Sequence, residues 1–94
     1  LLDMLLANYQ EQLPPLLEEV QKALTGKNLK DICQHAHTIK GVAGNISALA
    51  LQQAAKAIEA QAKSDELFGL DTLYEELVTA HQQFLALSQE YLEE

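Results

Sequence analysis

The stretch Ala36-His37-Thr38-Ile39-Lys40-Gly41-Val42-Ala43-Gly44-Asn45 concentrates the residues whose types and spacing could do chemistry. Two glycines lie inside a run of helix formers, where each costs about 1 kcal/mol relative to Ala. A helix that keeps them needs the missing side chains. On a wheel of about 100° per residue with His37 at zero, Gly41 falls near +40°, Gly44 near −20° and Lys30 near +20°. Cys33 and Lys40 flank this face, at about −40° and −60°. The opposite arc collects Leu29, Ile32, Ala36, Ile39, Ala43 and Ile46. One face is therefore aliphatic and suited to burial. The other presents an imidazole over two bare positions, with an ammonium group one turn on.

A neutral imidazole is a good nucleophile toward an activated phosphoryl group. The product would carry about two negative charges near neutral pH. Lys40, at i+3, can reach that anion and offset its charge. The bare glycine positions would let a partner's active site approach the ring. This segment holds no basic cluster, catalytic carboxylate or phosphate-binding loop, so the rest of the chemistry is expected from a partner.

Other uses of these residues are weaker. His35 and His37 point about 200° apart on a helix and cannot close on one ion, so no metal site is expected. Cys33 and His37, at i and i+4, resemble a thiol–imidazole pair, but no oxyanion site or orienting group accompanies them. Cys33 reads instead as a small apolar residue at the edge of the packed face. His35 reads as a partly buried structural residue. Glu18-Glu19, Glu75-Glu76 and Glu93-Glu94 read as solvated.

The elements that position this face are all helical. Gly and Pro number only four and two, and no alternating β-branched run occurs. A first stripe, Leu2, Leu6, Tyr9, Leu13, Leu16, Val20 and Leu24, predicts a helix from Leu1 to about Leu24, kinked or split near Leu13 by Pro14. Gly26 suits a left-handed helix end, and Asn28 suits an N-cap with Asp31 behind it. The histidine helix then runs from Leu29 to about Ile46. Ser47 is expected to cap a third helix, Ala48 to Lys63, with the stripe Leu51, Ala55, Ile58 and Ala62. Residues 64–69 form a turn. The last helix carries Leu70, Leu73, Leu77, Ala80, Phe84, Leu87 and Tyr91, with Thr72 and Glu75 at capping-box spacing. Short loops between amphipathic helices predict an all-α fold, an up-and-down antiparallel four-helix bundle.

Composition removes other classes. A chain of 94 residues allows one domain, too short for a barrel, a doubly wound nucleotide-binding sheet or a kinase fold. The net charge of −8, with no Arg and six scattered Lys, argues against nucleic acid and against an anionic membrane surface. One Cys excludes a disulfide framework. No apolar run is long enough to span a bilayer, and the start does not read as a signal peptide. A start at Leu1 rather than Met suggests a segment of something longer.

The string AHTIKGVAGNISA resembles the signature of histidine-containing phosphotransfer (HPt) domains, A-H-x-[LI]-K-G-x-[AS]-x-x-[LI]-G-A. The resemblance covers nearly the whole chain, is specific at His37, Lys40 and Gly41, and departs at Ser47, where the family usually has Gly. It implies that residues 1–94 form one HPt domain, excised from a longer chain such as a hybrid sensor histidine kinase. His37 would accept a phosphoryl group from a receiver-domain aspartate and pass it to another response-regulator receiver, with Lys40 stabilising the phosphate. Gly41, Gly44, Cys33 and Lys30 would form the docking face. The domain would act as a carrier without an ATP site or a cofactor of its own, Mg²⁺ coming with the receiver. It would work as a monomer in the cytoplasm, alone or as the cytoplasmic part of a membrane-bound sensor kinase. Two alternatives are a helical interaction module without chemistry and the phosphoacceptor domain of a chemotaxis-type kinase, loaded from ATP.

Overall fold

Two prolines in the middle of the first helix do not end it. In the computed structural model, which describes the backbone of residues 2–93 and the side chains of residues 3–90, α1 (Leu2–Thr25) continues through Pro14 and Pro15. Both prolines are exposed, as are Gln10 and Glu11, whose carbonyls lose their helical partners to the missing N–H groups. Of the kink or split expected there, the split is absent, and the unpaired carbonyls belong to exposed residues, where water can satisfy them. α2 (Leu29–Asn45), α3 (Leu49–Lys63) and α4 (Leu70–Glu93) follow. α2 packs on α1 and α3, and α4 on α3 and α1. This is the up-and-down four-helix bundle expected from the periodicity, 44 Å long and 18 Å across. No described helix is long and apolar enough to cross a membrane.

The core runs along the bundle axis through Tyr9, Leu13, Val20, Ile32, Ile39, Leu51, Ile58, Leu70 and Leu77. Two stripes drift from their predicted lines. In α1, Leu17 is buried and Leu16 only half-buried. In α4, Leu87 is exposed, while His81 and Ser88 are buried. α4 has 24 residues and α3 has 15, so the end of α4 outruns α3 and turns its buried side toward α1. There the Tyr9 hydroxyl lies 2.7 Å from His81 Nδ1, and the Tyr9 ring meets Phe84 edge-on. The side chains of Leu2, Tyr91 and Glu93, and all of Glu94, lie outside the described residues.

Three helices end in the same reversal. Lys27 N bonds Leu24 O at 3.1 Å and Asn28 N bonds Ala23 O at 2.9 Å. Ser47 N and Ala48 N repeat the pattern on Gly44 O and Ala43 O, and Asp65 N and Glu66 N repeat it on Ala62 O and Gln61 O. The reversing residues are Lys27, Ser47 and Asp65, with φ of 53°, 58° and 59°. Gly26 therefore does not take the left-handed position; Lys27 does. Nor does Ser47 cap α3. Ala48 occupies that place and makes no side-chain cap bond. The φ of Ser47 gives the physical reason that Gly is favoured at its place in the related signature. Asn28 caps α2 as expected, its side chain accepting from Asp31 N at 3.1 Å. Thr72 lies inside α4, which begins at Leu70, so the Thr72–Glu75 spacing marks no cap.

Candidate functional site

Full burial of Ile32, Ala36, Ile39 and Ala43 fixes the roll of α2. That roll turns His37 outward, with its side chain 66% exposed. α3 lies alongside, held by Leu51, Ala55, Ile58 and Ala62. Glu59 is four residues after Ala55 and three before Ala62, so it falls on the packed side of α3. Its side chain is only 7% exposed.

This buried carboxylate organises the site. His37 Nδ1 lies 2.7 Å from Glu59 Oε2, and Lys40 Nζ donates to Glu59 Oε1 at 2.7 Å. Lys63 Nζ stands 3.6 Å from Oε2. The Lys40 hydrogen bond is the main cause that lowers the Glu59 pKa from 4.5 to about 2. The His37 bond and the charges of Lys40 and Lys63 add to it, while burial opposes them. Glu59 is therefore ionised at neutral pH and can only accept. Nδ1 of a neutral His37 must carry the ring proton and donate it to Glu59, which leaves the lone pair on Nε2. A carboxylate that fixes the imidazole tautomer and faces the nitrogen opposite the nucleophile prepares the ring to attack an electrophile.

Between α2 and α3 runs a groove of about 520 Å³, lined by His37, Glu59, Lys63, Lys30 and Cys33, among others. The structure thus brings Lys30 and Cys33 to the histidine. Cys33 is half-buried and free, packed against the core edge. Gly41 is exposed, and a Cβ built there would meet nothing within 4 Å. Gly44 differs: its Cβ would come 2.8 Å from Gln52 Nε2, so that glycine abuts α3. His35 is half-buried and borders a separate recess with Glu19, Lys22 and Asp31. Among the described residues, no cluster of His, Cys, Asp or Glu is placed to hold a metal ion.

Glu59 and Lys63 were missed in the sequence. Glu59 continues the Ala55–Ala62 stripe, and a carboxylate on a buried stripe was the available signal. Lys63 follows it by one turn, which was a signal only once Glu59 had been recognised.

The sequence matches the Hpt domain family over residues 4–86. It is 36% identical over 77 residues to the phosphorelay intermediate protein rdeA of Dictyostelium discoideum. That alignment covers 82% of this chain and 29% of rdeA, so the chain spans under a third of that relative's length. No solved structure matches it. With the family match running through all four helices and across the His37 face, the chain belongs to the Hpt domain family.

Proposed function

We propose that the chain carries a phosphoryl group on His37 in a multistep phosphorelay, taking it from an aspartyl phosphate of one receiver domain and yielding it to an aspartate of another. The observation that carries this reading is the 2.7 Å hydrogen bond from His37 Nδ1–H to the ionised Glu59. The Nε2 lone pair attacks phosphorus, and the P–O bond to the donor carboxylate breaks, with the electron pair leaving on that carboxylate. The ring, still protonated at Nδ1, becomes cationic, and Glu59 stabilises it. In the second step the acceptor aspartate attacks phosphorus, and the pair returns to Nε2. Neither step requires a proton to move.

Lys40 keeps Glu59 ionised and adds positive charge beside the phosphoryl group. The His37 face, with Lys30, Cys33, Gly41 and Gly44, is the surface on which receivers dock. Open space over Gly41 supports this reading more directly than the crowded Gly44 does. The domain acts as a carrier without an ATP site, and Mg²⁺ belongs to the receiver's aspartate pocket. We place this activity in the cytoplasm, with the chain a monomer and one domain of a longer protein such as a hybrid sensor kinase.

The test is transfer from a ³²P-labelled receiver. Wild-type protein should acquire acid-labile, base-stable label. His37→Gln should acquire none while keeping its stability within about 1 kcal/mol, as expected at an exposed position. His35→Gln and His81→Gln should still be labelled. Label persisting in His37→Gln would refute the assignment. Loading by a kinase domain and ATP, with none from receivers, would replace it with the kinase-substrate alternative.

A further inference from the structure

Two ammonium groups contact Glu59, and they are held differently. Lys40 is 30% exposed and bonded to Glu59 at 2.7 Å. Removing it would strip a buried carboxylate of its strongest partner, which is costly. Lys63 is 66% exposed, and its 3.6 Å approach to Glu59 Oε2 is an ion contact longer than a hydrogen bond. It occupies the last residue of α3, and with Lys30 it lines the groove beside His37. Oε2 is also the oxygen that holds His37 Nδ1. Lys63 and His37 thus share one carboxylate oxygen and one groove.

We propose that Lys63 is the residue that directly receives the charge of the phosphoryl group on His37, an inference that rests on the carrier reading above. A phosphoryl group on Nε2 brings about two negative charges toward the single charge of Glu59. A cation that reaches the phosphoryl oxygens offsets that added charge. Lys63 can turn from Glu59 to the phosphoryl oxygens at little cost, because Lys40 and His37 continue to satisfy the carboxylate. The labour is divided: Lys40 holds Glu59 and adds its charge nearby, Glu59 holds the ring, and Lys63 makes the direct contact with the phosphoryl oxygens.

The test uses phosphoramidate, a small donor that needs no docking, with ³¹P NMR as the readout. A cation in contact lowers the second pKa of a phosphoryl group. In Lys63→Gln, the ³¹P titration midpoint of phosphohistidine should rise by about half a unit, and labelling should slow about threefold. Lys63→Arg should restore both. Lys56→Gln, which removes a charge from an exposed position elsewhere on α3, should alter neither. The ¹⁵N shifts of unphosphorylated Lys63→Gln should keep the Nδ1–H tautomer, separating Lys63 from residues that position the ring. An unchanged midpoint and rate in Lys63→Gln, with wild type labelled at His37, overturns the inference alone. An equal shift in Lys56→Gln overturns it too, because the effect is then net charge. Wild type that takes no label at His37 overturns the carrier reading and this inference together.

Discussion

Glu59→Gln removes the charge at the centre of the site while keeping its volume. The carboxyl pKa falls from 4.5 to about 2 on folding, through Lys40 first. At about 1.4 kcal/mol per pH unit, that depression favours the folded state by about 3 kcal/mol at neutral pH. Because the folded pKa is the lower one, the stabilisation is complete above about pH 4.5 and is lost as pH falls toward 2. An amide can still accept from Lys40 or His37, so the net loss at pH 7 should be about 2 kcal/mol. For a domain of this size that corresponds to a Tm lower by roughly 10 °C. Urea denaturation of both proteins from pH 7 to pH 2.5 measures the difference. The gap should be widest near neutrality and close below about pH 3. A gap independent of pH, or none at pH 7, would refute the network as the source. The same variant should lose the fixed Nδ1–H tautomer of His37, visible in ¹⁵N spectra, and accept phosphate more slowly.

Gly41→Ala should raise stability by up to about 1 kcal/mol, since its Cβ meets nothing. Gly41→Leu should fold, lose most receiver-dependent labelling and keep labelling by phosphoramidate; unfolding would show that the glycine is packed. Burial lowers the His81 pKa below 6.5, so its contribution is complete above that value and declines as pH falls below it. His81→Gln still offers Tyr9 an acceptor, so the urea midpoint of wild type should drop from pH 7 to pH 5 more than that of the variant. Ser47→Gly should stabilise the domain by up to about 1 kcal/mol by relieving a left-handed φ, and a lower Tm would contradict the backbone geometry.

The histidine helix was legible because its pattern is dense. Six aliphatic positions on one arc fixed which way His37 faces, and the structure buries Ile32, Ala36, Ile39 and Ala43 there. The role of Glu59 was not legible, because a carboxylate on the Ala55–Ala62 stripe has no visible partner until α2 supplies Lys40 and His37 from 19 and 22 residues away. The Tyr9–His81 contact spans 72 residues and leaves no local trace. Helix ends misled for a different reason. Ser is a common N-cap, so Ser47 was assigned to the helix that follows, whereas the preceding helix needed a left-handed residue there. Leu87 failed because periodicity carries no knowledge of where a neighbouring helix stops.

Pro14 and Pro15 leave α1 two backbone hydrogen bonds short at mid-length. Amides at mid-α1 should therefore exchange faster than those of an uninterrupted helix. His37, Lys40, Glu59 and Lys63 all lie on the consecutive pair α2 and α3. The chemistry is thus carried by the hairpin that contains no proline. Local opening in the middle of α1 leaves the imidazole on its carboxylate, so the reactive geometry persists through such openings.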